Sequence, residues 1–318
     1  MTSIAVILPA YNEAPTIVAV IEAFRVALPE ATIVVIDNAS TDNTGALARE
    51  AMERLGCRGR VLQESSRGKA NAVRRAFLDV EADVFLMADA DMTYPAEQAR
   101  ELLAPVLEGR YDMVVGDRIS RGDYAQENKR PAHEFGNRLV LDLINRLFKA
   151  SLNDVLSGYR AMNRRFVKTY PVLVGGFELE TDLTLHALEG RFRILELPIR
   201  YQDRPAGSVS KLNTVRDGAR VINAIVQIAR HHRPLAFFGG LGVILFVLGL
   251  AAGYGPLDDY LTSRFVYRLP LAVLAVGLEL SALLSIATGL ILSTIVRGHR
   301  AEHERALLAY RHPSSGNG

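Results

Sequence analysis

Up to about Gln202, short runs of aliphatic and β-branched residues alternate with longer stretches in which apolar residues recur every three or four positions. The runs at 4–8, 32–36, 84–88, 113–115 and 194–197 predict strands, and the stretches 16–27, 44–55 and 96–107 predict helices between them. Such alternation predicts an α/β fold, a mostly parallel sheet with helices on both faces. Pro15 falls in the first turn expected of its helix, where a missing N–H is tolerated, and Gly56 and Gly109 fall where two helices should stop.

The pattern changes near the end of the chain. Residues 235–254 carry no charge, and 269–296 carry only Glu279. At 1.5 Å per residue, twenty residues reach about 30 Å, the thickness of a hydrocarbon core. A buried helix of a soluble core is the alternative, but core helices are seldom apolar on every face for so long, so two transmembrane helices are expected within 234–298. Arg230, His231, His232 and Arg233 precede the first, and Arg297, His299, Arg300 and Arg305 follow the second. By the positive-inside rule both ends face the cytosol, which puts a domain over 1–210 and a tail over 299–318 on the cytosolic side of an inner or plasma membrane. Glu279 then needs a polar partner from its own bundle or from a second protomer. Residues 211–233 space Val215, Ala219, Ile222 and Val226 at helical intervals among Arg216, Arg220 and Arg230, as expected of an amphipathic juxtamembrane segment. A similar pattern over 137–152 fits a membrane-surface helix or one packed on the domain core. The N-terminus shows neither a basic region nor a small-residue cleavage site, so no signal peptide is expected.

Composition narrows the chemistry. In 318 residues, 37 Lys and Arg face 35 Asp and Glu, a balance that does not suit a nucleic-acid partner. Cys57, the single cysteine, can form neither an internal disulfide nor a Cys-rich zinc site, and is expected to be inert. No G-x-G-x-x-G follows the first strand, and Gly68-Lys69 lacks the rest of a Walker loop, so hydride transfer and P-loop hydrolysis lose their main support.

Sheets of this class bind ligands at the carboxyl ends of their strands. There the chain places Tyr11 and Glu13, then Asp37 and Asn38, then Asp89-Ala90-Asp91. Clustered carboxylates repel unless a cation or donors compensate, and Asp-x-Asp offers hard oxygens suited to Mg²⁺ or Mn²⁺. A strand-end aspartate can equally cap the next helix, the role expected of Asp42. Of Glu178, Glu180 and Asp182, at the start of a helix running toward Leu188, at least one is expected to serve the helix dipole.

Taken in series, Pro9-Ala10-Tyr11-Asn12-Glu13, Asp37-Asn38-Ala39-Ser40-Thr41-Asp42, Arg67-Gly68-Lys69, Asp89-Ala90-Asp91, Gly116-Asp117-Arg118, Ser157-Gly158-Tyr159-Arg160 and Ser208-Val209-Ser210-Lys211-Leu212 resemble the family 2 glycosyltransferases. The narrower resemblance is to their polyprenyl-phosphate glycosyltransferase and dolichol-phosphate mannose synthase branch, and it runs from Ile4 to about Leu212. It implies a GT-A, Rossmann-like catalytic domain followed by a two-helix transmembrane hairpin. The implied reaction is transfer of a hexose, with inversion, from a nucleotide-sugar to polyprenyl phosphate at the cytosolic membrane face. UDP-glucose is favoured as donor, with GDP-mannose and other UDP-hexoses as alternatives.

By position, the resemblance assigns Pro9, Tyr11, Glu13, Asp37, Lys69 and Asp89 to the nucleotide-sugar, and Asp91 with Asp89 to Mg²⁺ or Mn²⁺. Thr93 stands where this branch often has Gln. Arg118 and Arg130 would hold the lipid phosphate, because a guanidinium fork binds phosphate oxygens in pairs. With Asp89 and Asp91 they make up the implied catalytic set. Asp154, Ser157 and Arg160 match a motif near sugar and acceptor, although Asp154 could be a helix-start cap, and Glu180 is the candidate for a sugar contact. Arg204, Ser210 and Lys211 would close over the diphosphate as a lid or form a basic juxtamembrane stretch, or do both. The acceptor phosphate is already largely dianionic at neutral pH, so a dedicated general base is unnecessary. Homo-oligomers are also within what the resemblance implies. Two rivals remain: a processive polysaccharide synthase, disfavoured because the chain has no tryptophan for a Gln-x-x-Arg-Trp motif, and a non-catalytic membrane-anchored nucleotide-sugar-binding subunit, disfavoured by the joint presence of Asp89, Asp91, Arg118 and Arg130.

Overall fold

The computed structural model describes residues 2–121, 131–172, 179–201, 226–228, 230 and 233–309. They fall into two units, one carrying the sheet and the other the two long apolar helices.

Seven strands form the sheet: β1 (Ile4–Ala10), β2 (Thr32–Asp37), β3 (Gly59–Gln63), β4 (Val84–Met87), β5 (Met113–Asp117), β6 (Arg160–Asn163) and β7 (Ile194–Pro198), in the order β3-β2-β1-β4-β6-β5-β7. β1 to β4 pair in parallel, as do β5 and β7, while β6 runs antiparallel between β4 and β5. Around them lie α1 (Ile17–Ala27), α2 (Thr44–Arg54), α3 (Lys69–Asp79), α4 (Ala99–Leu107), α5 (Pro131–Phe148), α6 (Arg164–Thr169) and α7 (Leu179–Glu189).

The apolar run of β1 is buried on both faces, as a central parallel strand requires. Its alternate residues divide between two cores. Ile4, Val6, Leu8 and Ala10 pack with α1, α2 and α4, whereas Ala5 and Ile7 pack with α3, α6 and α7 on the opposite face. Gly56 and Gly109 end their helices as expected, in left-handed backbone at φ 56° and 68°. The N–H of Cys57 closes on the carbonyl of Met52, and that of Arg110 on Pro105, so both helices finish in the same double-bonded turn.

Several details depart from the sequence reading. Pro15 lies just outside α1, whose N-cap is Thr16, and the helix expected over 96–107 opens with a 3₁₀ turn, Ala96–Gln98. Neither β3, β6, α3 nor α6 has a counterpart among the expected elements. The helix expected over 137–152 begins earlier and ends at Phe148, with Ile144 buried in the domain.

In the other unit, α8 (Pro234–Ser263) and α9 (Leu269–Ala309) extend past the expected spans. Both are long and apolar enough to cross a membrane, and most of their large side chains, such as Val243, Phe246, Leu283 and Leu284, are exposed. Glycines bring them together: a β-carbon on Gly242 would meet Ile286 at 2.6 Å, one on Gly249 would meet Glu279 Oε1 at 2.6 Å, and one on Gly253 would touch Ala275 at 3.5 Å. Ser285 Oγ donates to the carbonyl of Phe238 at 2.8 Å. Glu279 therefore faces α8, with Oε1 buried and, among the described residues, without a hydrogen-bond partner. The amphipathic segment expected over 211–233 lies largely outside the described residues.

Candidate active site

Three loops leave the carboxyl ends of β1, β2 and β4, and each contains a non-glycine residue in left-handed backbone: Asn12 at φ 56°, Ala39 at φ 55° and Met92 at φ 64°. Such backbone is costly for alanine and methionine and persists only where surrounding bonds impose it. Here Asn12 Oδ1 accepts from the N–H of Thr41 at 2.8 Å, and its own N–H donates to Ser40 Oγ at 3.1 Å, so the first two loops are laced together. Asn38 ties in the loop before α3: its Nδ2 donates to the carbonyl of Ser66 at 2.6 Å and its Oδ1 accepts from the N–H of Gly68 at 2.7 Å.

On this frame Pro9 is half-buried in β1, and Tyr11 is 44% exposed beneath the guanidinium of Arg67, 5.5 Å from its ring centre. The Glu13 carboxylate accepts from Thr16 Oγ1 at 3.2 Å, and its main-chain carbonyl starts α1. Asp37 is buried, with Oδ1 accepting from the N–H of Ser40 at 3.1 Å and Oδ2 in the space a β-carbon on Gly45 would fill. Asp42 accepts from the N–H of Thr44 at 3.0 Å and from that of Ala14 at 3.3 Å, whereas the N-cap of α2 is Asn43, so Asp42 ties the first loop to the helix start and is not its cap. Burial opposes its ionisation, but the bonds from Thr44 prevail and hold the carboxyl below its ordinary range.

Lys69, the first residue of α3, forms ion pairs with Asp89 and, at 2.6 Å, with Glu180 at the start of α7. Burial alone would lower the ammonium's proton affinity, yet the two carboxylates raise it above its ordinary value, so Lys69 stays charged. Glu180 shows the converse: burial pushes it up, and Lys69 draws it below the usual carboxylate range. Asp89 ends up raised, because burial together with Asp91 and Glu180 outweighs Lys69. Asp91 is 4% exposed and accepts from Thr93 Oγ1 at 2.6 Å and from the N–H of Thr93 at 3.2 Å. One ammonium thus pairs with two of the three carboxylates gathered here, Asp89 and Glu180.

A second charged group lies along the same edge. Arg118, just after β5, forks onto Asp154: Nε donates to Oδ2 at 2.7 Å and Nη2 to Oδ1 at 2.9 Å, while its main-chain N–H reaches Oδ2 at 3.2 Å. Both side chains are mostly buried, and the guanidinium also covers Tyr201 at 5.5 Å. The loop that carries Asp154 leads within four residues to Gly158, where a β-carbon would lie 3.0 Å from Lys69 Nζ and 3.1 Å from Asp89 Oδ2. A side chain at this position would crowd the ion pair. The N–H of Gly158 is fixed by Tyr94 Oη at 2.8 Å. Ser157 is buried, its Oγ accepting from the N–H of Tyr159 at 3.3 Å.

Arg160, read from sequence as part of a motif near the sugar and acceptor, is wholly buried. Its Nε and Nη2 donate to the carbonyls of Ser157 and Val155, both at 2.8 Å, and Nη1 to Thr184 Oγ1 at 2.9 Å, so it holds the loop from inside. Arg130, Arg204, Ser210 and Lys211 lie outside the described residues.

Glu196 on β7 and Tyr94 escaped the sequence reading. A lone acid inside the apolar run of β7, and a tyrosine three residues beyond Asp91, were the signals available. Among the described residues no group of three or more His, Cys, Asp or Glu side chains could by itself hold a metal ion. The pair Asp89 and Asp91 nevertheless suits Mg²⁺ or Mn²⁺, since such ions are commonly held by one or two carboxylates with substrate phosphate supplying the rest.

Residues 5–170 match the family described as Glycosyl transferase family 2. Across 95% of the chain and 97% of the relative, the protein is 30% identical to Glycosyltransferase AglJ of Haloferax volcanii. It is also 30% identical to a dolichyl-phosphate hexose transferase of the same organism, over 72% of the chain and 95% of the relative. Glucosyl-3-phosphoglycerate synthase from Mycobacterium tuberculosis, crystallised with Mn²⁺, uridine diphosphate and phosphoglyceric acid, shares the fold with a TM-score of 0.55 at 22% identity, over 72% of this chain and 78% of that one. With its GT-A-like sheet and the matching sequence over half its length, the chain belongs to glycosyl transferase family 2.

Proposed function

We propose that the protein transfers a hexose, with UDP-glucose as the favoured donor, to polyprenyl phosphate at the cytosolic face of a membrane. The observation that carries this reading is the loop 154–158, which holds Arg118 through Asp154 at one end and backs onto Asp89 and Lys69 through Gly158 at the other. An anionic acceptor and a diphosphate donor would thereby meet along one sheet edge. Two apolar helices and the likeness to a dolichyl-phosphate hexose transferase support a lipid acceptor.

Each residue then has a physical task. Tyr11 and Asp37 take the nucleoside, and Lys69, kept charged by its two carboxylates, lends positive charge beside the diphosphate. Asp91 and Asp89 would hold Mg²⁺ or Mn²⁺, which neutralises charge on the departing diphosphate when bound. Arg118 and Arg130 orient an acceptor phosphate whose oxygen is already ionised and needs no base. The hairpin keeps the enzyme where the lipid headgroup is exposed, replacing a three-dimensional search by one along the bilayer.

The test is incubation of detergent-solubilised protein with a panel of nucleotide-sugars and undecaprenyl phosphate, followed by mass spectrometry of the lipid fraction. A glycosylated lipid phosphate should form, with nucleoside diphosphate released only when the lipid is present. Asp91→Ala should reduce turnover at least about a hundredfold, the scale of losing charge stabilisation in a transition state. Donor turnover independent of lipid phosphate would overturn the reading.

A further inference from the structure

On β7, Glu196 sits beside Val115 of β5, just behind the strand end that carries Arg118. Both of its carboxylate oxygens accept from consecutive main-chain amides: Oε2 from Asn153 at 2.7 Å and Oε1 from Asp154 at 2.8 Å. Two neighbouring N–H groups aimed at one carboxylate fix the direction of the chain between them. The next side chain is that of Asp154, which takes the guanidinium and the main-chain N–H of Arg118 and also the N–H of Leu156 at 3.1 Å.

We infer that Glu196 is a positioning residue for Arg118, acting at second hand by clamping the peptide that aims Asp154. The inference rests on the reading of Arg118 as the acceptor-phosphate residue, and it adds a determinant of acceptor recognition on β7. Shape and charge both matter here. A carboxylate accepts at both oxygens, whereas a carboxamide accepts at one and turns an NH₂ toward the other amide. Glu196→Gln therefore keeps the volume and breaks half the clamp. With the peptide released, Asp154 no longer fixes the fork of Arg118, and a guanidinium out of line loses its paired contact with phosphate.

The experiment compares the full-length wild type with Glu196→Gln and Glu196→Asp, each alone and combined with Arg118→Lys. Glu196→Gln should raise the KM for undecaprenyl phosphate about tenfold, the equivalent of one misaligned hydrogen bond to a charged group, while donor KM stays within about twofold. Glu196→Asp, which keeps a carboxylate on a shorter arm, should recover part of the loss. In the Arg118→Lys background, Glu196→Gln should add almost nothing, because the fork it serves is gone. Amide hydrogen exchange at Asn153 and Asp154 should quicken in Glu196→Gln, a readout that needs no acceptor. Equal changes in donor and acceptor KM, additive effects in the double variant, or unchanged exchange would overturn the inference. Wild-type protein that ignores undecaprenyl phosphate, with exchange at Asn153 and Asp154 still quickened in Glu196→Gln, would instead overturn the acceptor reading alone.

Discussion

Lys69 lies between carboxylates contributed by separate elements, Asp89 at the end of β4 and Glu180 at the start of α7, and shares its single positive charge between them. This changes what Glu180 does. A sugar contact is the expectation from sequence, but the side chain is engaged with an ammonium and nearly enclosed, so its effect on sugar binding would pass through Lys69. Replacing Lys69 by Met keeps the stem and removes the charge, leaving Asp89, Asp91 and Glu180 to repel one another. Breaking a buried pair costs about 3–5 kcal/mol. Lys69 keeps 32% of its side chain exposed, so about 2–3 kcal/mol is the fitting scale for Lys69→Met after discounting for solvent. Chemical denaturation of the full chain should show that loss, and a further Glu180→Gln substitution should restore part of it by removing one of the repelling charges. If Glu180→Gln makes Lys69→Met less stable still, the cluster is not governed by charge balance.

At the scale of elements, the three strands that support Arg118 are fastened at their far end by Asp112. Its Oδ2 accepts from the main-chain N–H of Arg193 at 2.8 Å and from Arg193 Nε at 3.2 Å, and its Oδ1 accepts from Asn163 Nδ2 at 2.9 Å, so one carboxylate links the approaches to β5 and β7 with the end of the antiparallel β6. Burial raises its proton affinity, but Arg193 prevails and holds the carboxyl below its ordinary range. The unfolded chain therefore binds this proton at a higher pH than the folded one. The stabilisation is present above the unfolded pKa of about 3.9 and is lost as pH falls through the lower folded value. Asp112→Asn should cost about 1–3 kcal/mol at neutral pH. Its melting temperature should converge on that of the wild type in acid, and a gap that stays constant down to pH 2 would refute the linkage. The same corner shows why β6 was illegible. Arg160-Ala161-Met162-Asn163 has no β-branched residue, and its charged arginine reads as surface, yet that arginine is buried against the carbonyls of Val155 and Ser157. β3 fails for the opposite reason: it is an edge strand, exposed at Gly59 and Arg60, and its close approach to Ile33 depends on glycine. Strands with unbroken aliphatic runs, such as β1 and β2, were legible because burial on both faces demands that composition. Site residues divide likewise. Asp89, Asp91 and Arg118 stand at strand ends in recognisable local order, whereas the links from Glu196 to Asp154 and from Tyr94 to Gly158 join residues 42 and 64 positions apart.

For the whole molecule, the decisive quantity is the side of the membrane on which each part lies. α8 and α9 face one another through Gly242, Gly249 and Gly253, as two helices crossing a bilayer in opposite directions would, and two crossings return the chain to its starting side. Charge sets which side that is. Arg230 and Arg233 stand before α8 and Arg297, Arg300 and Arg305 stand in the later part of α9, against Arg264 and Arg268 in the connector. On the proposed reading, the excess of arginine at the outer ends would keep them in the cytosol. Cys57, partly buried in the sheet-bearing unit and the only cysteine, is a natural reporter for this arrangement. Burial raises its thiol pKa, so labelling should be slow but measurable at alkaline pH. In intact cells an impermeant maleimide should leave Cys57 unmodified until the membrane is opened. A Cys57→Ser, Thr262→Cys variant, which moves the thiol to the exposed end of α8, should be labelled from outside at once. Labelling of both positions only after lysis would mean that the hairpin does not cross. The reversed pattern, with Cys57 modified in intact cells and the thiol at position 262 protected, would put the sheet outside and separate the carboxylate cluster from any cytosolic pool of nucleotide-sugar.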